Sequence, residues 1–108
     1  MLNLFEKYVR WIVENNETPP TTHKSRLESI SSAHKKLHNY YGKKASDYEG
    51  RLGHAELLRK AAFHEMMHNG TKEAADAAPR SDEGLSKRDI DSSIEGWHDS
   101  REQLRSIK

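Results

Sequence analysis

One pentapeptide carries residue types and a spacing that suit metal chemistry. It is the segment His64-Glu65-Met66-Met67-His68, which matches the pattern H-E-x-x-H. On a helix, two histidines four positions apart lie one turn apart on the same face and can bind one zinc ion. Glu65 would then serve as general base toward a water molecule on the metal. The spacing therefore raises zinc-dependent hydrolysis as one possible function.

The same segment resembles the zinc site of the gluzincin metallopeptidases. In that family a glutamate on a later helix supplies the third ligand, and an acidic residue follows it four positions on. Glu95 lies 27 residues after His68, and Asp99 has the required spacing from Glu95. The resemblance implies that His64, His68 and Glu95 bind zinc and that Glu65 is the catalytic base.

A second interpretation of the pentapeptide needs no metal or other cofactor. Zincins carry an apolar or small residue after the second histidine, where this sequence has Asn69. They also bind peptides along the edge of a sheet, and no strand is recognisable here. A helical wheel places His64 and His68 with Leu57 and Ala61, away from the main apolar side of their helix. A solvated histidine pair is consistent with that placement.

A basic and aromatic stretch precedes the middle of the chain. It contains Lys35, Lys36, Tyr40, Tyr41, Lys43 and Lys44. Lysines can contact phosphates and tyrosines can stack on bases, so the stretch predicts nucleic-acid binding as an alternative function. It is equally typical of a helix end, where cations favour the helix dipole and Tyr41 packs inward.

The helical patterns that position these residues are the only regular patterns in the chain. Apolar spacing and capping signals predict helices over about 3–16, 22–41, 54–68 and 86–107. Gly42 is expected to end the second helix and Gly70 the third, and Ser86 is expected to be the N-cap of the fourth. We therefore predict an all-α fold, a small bundle of three to four helices. It forms a single domain over 1–108, with a loop at 71–84.

Each helix has an apolar side that is expected to face the core. In the second helix this side is a heptad-like stripe, formed by Leu27, Ile30, His34, Leu37 and Tyr41. In the third it gathers Tyr48, Leu52, Ala55, Leu58, Ala62, Phe63 and Met66. In the fourth it includes Ile90, Ile94 and Trp97.

Composition excludes several classes of function. The chain of 108 residues has no cysteine, so it has neither a disulfide framework nor a thiolate nucleophile. The longest apolar run is three residues, at Trp11–Val13, and charges interrupt the first thirteen positions. We therefore expect no membrane span and no secretory leader, and a cytoplasmic location.

Protein binding is the function that remains best supported by these patterns. Only 33% of the residues are hydrophobic, which predicts a thin core that a partner would help to stabilise. Trp11, Tyr40 and Tyr41 are large rings of the kind that dominate binding surfaces, and Lys35, Lys36, Lys43 and Lys44 surround them. The profile is typical of small adaptors or inhibitors of phage and mobile-element type. The heptad-like stripes also favour a homodimer.

Overall fold

The computed structural model describes residues 19–107, which form three helices. We number them α1 (His23–Asp47), α2 (His54–Ala77) and α3 (Lys87–Ser106). No strand occurs in this range, which confirms the all-α prediction. None of the three helices is long and apolar enough to cross a bilayer. The helix predicted at 3–16, with Trp11, lies outside the described residues.

Helix α1 lies between the other two helices. It packs against both α2 and α3, whereas no Cα atoms of α2 and α3 come within 8 Å of each other in the described range. Contacts with α2 are antiparallel, because Lys24 Nζ donates to Ala75 O at 2.7 Å near the start of α1 and Ala45 meets His54 near its end. Contacts with α3 are parallel, since Arg26 meets Ser93 and Ser29 meets Trp97.

Helix α1 begins where the sequence predicted and ends later. Thr22 is the N-cap, and its Oγ1 accepts a hydrogen bond from the Ser25 N–H at 3.1 Å. The predicted end at Gly42 was wrong, because the helix continues to Asp47. A glycine inside a helix costs only about 1 kcal/mol relative to alanine. Ala45, one turn further on, is fully buried and accepts a hydrogen bond from His54, and these contacts offset that cost.

Helix α2 also extends beyond its predicted end. Ser46 and Glu49 have the S-x-x-E spacing of a capping box, but Ser46 lies inside α1. Gly53, with a φ of 92°, precedes α2 instead. Gly70 does not end the helix, which runs to Ala77, so the predicted loop at 71–84 was wrong for its first seven residues. These residues are rich in alanine, and Ala75 is buried against Lys24 of α1.

Helix α3 has the predicted start and the predicted buried side. Ser86 is its N-cap, and Ser86 Oγ accepts from the Asp89 N–H at 3.1 Å. Trp97 is buried against Ile30 of α1, and Leu27 packs beside them. The indole N–H of Trp97 donates to Ser29 Oγ at 3.0 Å, so the polar edge of the ring is satisfied as well.

Candidate functional site

Histidines are concentrated at the interface between α1 and α2. Five of the seven histidines of the chain lie there and contact the opposite helix; they are His34, His38, His54, His64 and His68. We call this set the histidine seam. Along the seam, the residue numbers on α1 increase while those of the contacting residues on α2 decrease. The seam therefore follows the antiparallel register of the two helices. A seam of this kind carries hydrogen bonds where a helical hairpin usually carries leucines.

Three seam histidines hold the two helices together through backbone carbonyls. Their Nδ1 atoms lie 2.7 to 2.8 Å from the carbonyl oxygens of small residues on the other helix: His54 from Ala45, His38 from Ala61, and His68 from Ser31. A carbonyl oxygen only accepts hydrogen bonds, so Nδ1 is protonated in all three rings. The small side chains leave room for each ring to reach the opposite backbone. This complementarity fixes the register of the hairpin.

The remaining two seam histidines bond to each other. Nδ1 of His34 lies 2.9 Å from Nδ1 of His64, and the exposed fractions of the two residues are 4% and 5%. The rings are stacked with centroids 5.1 Å apart, and Tyr41 stacks on His64 at 5.5 Å. One Nδ1 donates and the other accepts. The pair therefore accommodates a single proton between these two nitrogens.

Burial and neighbouring charges favour the neutral forms of this pair. Burial, followed by the charges of His64 and His68, lowers the pKa of His34 from 6.5 to about 4. Burial, followed by the charges of His38 and Lys60, lowers the pKa of His64 below its ordinary value. At neutral pH both rings are therefore uncharged, and two neutral rings satisfy the contact when one donates through Nδ1–H and the other accepts at Nδ1.

The H-E-x-x-H residues are placed differently from the sequence-based expectation. His64 and His68 lie on the packed face of α2, so the prediction that this face is solvated was wrong. The Nδ1 of each ring bonds to α1, and Glu65 is exposed. Glu95 is exposed on α3, and no Cα atom of α3 comes within 8 Å of a Cα atom of α2 in the described part of the chain. The predicted ligand set of His64, His68 and Glu95 is thus not brought together.

A different group of ligating side chains meets on α3. Atoms of His98, Asp99 and Glu102 lie within 4.8 Å of one another, and no other such group of three occurs within residues 19–107. His98 Nδ1 is 3.8 Å from Glu102 Oε1. The spacing of these residues on one helical turn is visible in the sequence, but sequence reasoning missed it. Such acidic groups are common on helices that bind no metal.

The fold leaves most lysines of the basic and aromatic stretch exposed and packs its tyrosines into the hairpin. Lys35, Lys36 and Lys43 are exposed on α1. The two tyrosines are engaged within the hairpin: Tyr41 stacks on His64, and Tyr40 meets the Tyr41 ring edge-on at 5.1 Å. Lys44 Nζ lies 5.6 Å from the centroid of the Tyr40 ring. Both rings are half-buried, so their faces are not freely available for stacking on bases.

Most large apolar side chains of α2 point away from α1. Leu58, Phe63 and Met66 are 49%, 49% and 63% exposed, while Leu57 is the one leucine of this helix that is buried. At 100° per residue these three side chains share one side with Ala55 and Ala62, which are also exposed. We call these five residues the outer face of α2. The sequence predicted that this side would form the core, and that prediction was wrong.

Comparisons with known proteins add no family assignment. No protein-family model matches the sequence. Searches of curated proteins and of solved structures find no significant similarity to this chain. Function must therefore be inferred from the geometry described above.

Proposed function

We propose that this protein acts by stoichiometric binding of another protein chain, and that the outer face of α2 is its binding surface. The observation that carries the proposal is the exposure of Leu58, Phe63 and Met66 on one side of a helix. Large apolar side chains that are exposed together on one side of a helix are typical of interaction sites in small proteins. An adaptor or an inhibitor of another protein would use such a surface.

The histidine seam supports the proposal by holding α2 rigidly. Three imidazole-to-carbonyl bonds and the His34–His64 bond tie α2 to α1 along much of its length. A preformed helix loses little conformational freedom when a partner binds its exposed side. Helices with apolar residues at such spacing commonly bind in grooves or against other helices. The hairpin therefore presents its apolar residues in a fixed arrangement.

Site-specific photo-crosslinking tests the proposal. A crosslinking amino acid is placed at Met66, in the outer face, and in a matched protein at Lys43, which is exposed on α1. We expect discrete adducts with one protein species from position 66 and none from position 43, with the adduct identified by mass spectrometry. The identified complex should then form from purified components in a fixed stoichiometry. Absence of a discrete adduct at position 66 contradicts the proposal.

A further inference from the structure

We infer that the chain bound to the outer face of α2 is a second copy of this protein, with the two α2 helices antiparallel. This inference rests on the proposed function, because it names the partner of the same surface. It follows from the distribution of charge and of small side chains around Leu58, which lies at one edge of the outer face.

Charged residues beside the outer face are self-complementary. Glu56 and Arg59 are both exposed; a helical wheel places Arg59 between Met66 and Phe63, and Glu56 just beyond Phe63. In an antiparallel pair, residues equally distant on either side of the two-fold axis face each other. An axis close to Leu58 therefore places Arg59 of each copy opposite Glu56 of the other. The two-fold symmetry forms this Arg59–Glu56 pair twice. Two parallel helices in register would instead place residues of like charge opposite each other.

Side-chain sizes fit the same register. Leu58 of one copy meets Leu58 of the other at the axis. Ala55, three residues before the axis, and Ala62, four residues after it, lie close to each other across the interface. Small residues on both sides allow the helices to approach closely, while Leu58 and Phe63 cover the edges of the contact. The segment before α2 adds to the surface, because Leu52 is 97% exposed just ahead of Gly53.

The overall charge and the core also favour pairing with an identical chain. The formal net charge is +1 at pH 7, so two copies approach without strong mutual repulsion. The buried hydrophobic residues of the described part include few large side chains: Ile30, Leu37, Leu57 and Trp97. Burial of the outer face in a two-fold interface would add apolar contacts that the isolated chain lacks.

Sedimentation velocity across a range of concentrations tests the inference. We expect the mass to change from the 12.4 kDa of one chain to twice that value as the concentration rises. Leu58→Asp should abolish this change, because it places two carboxylates at the axis. Lys36→Glu, which alters an exposed residue of α1, should leave the association unchanged. Circular dichroism is the control that checks whether each variant retains its helices.

Charge reversal tests the proposed register. Glu56→Arg alone and Arg59→Glu alone should each weaken the dimer by about tenfold, because each creates two facing pairs of like charge. The double variant, Glu56→Arg with Arg59→Glu, restores opposite charges and should restore the dissociation constant of the unmodified protein. Loss of association without recovery in the double variant overturns the antiparallel register.

The outcomes separate this inference from the proposed function. A crosslinked adduct of twice the chain mass from position 66, together with the concentration-dependent mass, supports both. A protein that stays monomeric and crosslinks to a different, identified protein overturns the second-copy inference and leaves the proposed function standing. A monomer that gives no adduct overturns both.

Discussion

Buried imidazole rings give the hairpin a stability that depends on the protonation of single residues. His34 and His64 contact each other through nitrogens that accommodate only one proton between them. His38, His54 and His68 use Nδ1–H to hold opposite carbonyls. The seam therefore specifies the register through directional bonds, which leucine side chains could not provide.

Acidification is expected to destabilise the protein between about pH 6.5 and pH 4. The pKa of His34 is about 4 in the folded chain, against 6.5 ordinarily, so the unfolded chain binds more protons in this window. The contribution of neutral His34 to the free energy of unfolding is complete above pH 6.5. It decreases as the pH falls, by at most about 1.4 kcal/mol per pH unit for one histidine. The lowered pKa of His64 acts in the same direction. Urea denaturation at a series of pH values measures the effect.

Two variants isolate the contribution of the seam. His34→Leu removes the titrating ring from the buried pair and should flatten the pH dependence in this window. His23→Gln, at the first position of α1 and outside the seam, should leave the dependence as it is. Asp82 titrates at lower pH, since the His23 backbone N–H and then the Arg26 charge lower its pKa below 3.8. An equal pH dependence in His34→Leu and the unmodified protein would contradict the prediction.

Glu65→Gln is expected to leave stability and binding unchanged. Glu65 is exposed, and the two histidines beside it bond to α1 through Nδ1. Surface substitutions of this kind usually alter the free energy of unfolding by less than about 0.5 kcal/mol. A chelator is likewise expected to leave the melting temperature unchanged. Melting curves with and without chelator check this, and a chelator-induced drop would restore the zinc interpretation.

At the scale of single helices, local sequence signals predict where a helix starts better than where it ends. Thr22 and Ser86 both cap helices through their side-chain oxygens, as expected from their residue types. Gly42 and Gly70 were expected to end helices and lie inside them instead. A cap depends on three or four neighbouring residues, whereas continuation through a glycine depends on what the next turn packs against.

Gly42→Ala is expected to raise the free energy of unfolding by about 1 kcal/mol, since glycine is a poor helix former. An added Cβ at position 42 would meet no atom within 4 Å. Gly96→Ala is the matched comparison, because its Cβ would lie 3.2 Å from Ile30 Cδ1 and part of the gain would be lost. Denaturant unfolding measures both. A destabilised Gly42→Ala protein would mean that α1 ends before Asp47.

Ser86→Ala is expected to destabilise the protein by about 1 kcal/mol, because it removes the acceptor of the Asp89 N–H at the start of α3. Ser92→Ala, at an exposed interior position of the same helix, serves as control and should be neutral or slightly stabilising. Thermal and urea unfolding of the two variants measure the difference. Equal stabilities would show that the cap contributes nothing.

At the scale of the whole molecule, one arginine joins three parts of the chain. Arg26 is 4% exposed; its Nε donates to Ser93 Oγ at 2.8 Å and its NH1 to Pro20 O at 3.2 Å. Its NH2 lies 3.4 Å from Asp82 Oδ2 in the loop before α3. Within the described residues α3 packs closely on α1, whereas its Cα atoms stay more than 8 Å from those of α2, so this network is a main support of its position.

Arg26→Lys is expected to cost about 1–3 kcal/mol, because an ammonium group cannot reproduce the planar fork and leaves a buried hydroxyl without its donor. Amide hydrogen exchange should accelerate mainly in α3, while the α1–α2 hairpin stays protected. Arg88→Lys, at an exposed position of α3, is the control. Uniform acceleration across all three helices would argue against a local role for Arg26.

The sequence by itself determined the helical class, two helix starts and the buried stripe of α1, because each of these follows from residues within a few turns of one another. Ile30, His34 and Leu37 are buried as their spacing predicted. Tertiary structure decided which side of α2 faces inward. Hydrophobicity alone selected the side with Leu58, Phe63 and Met66, yet the packed side carries Leu57, Ala61 and His64. A buried imidazole needs a hydrogen-bond partner on the opposite helix, either a carbonyl oxygen beside a small side chain or a second imidazole, and that match exists only in the three-dimensional register of two helices.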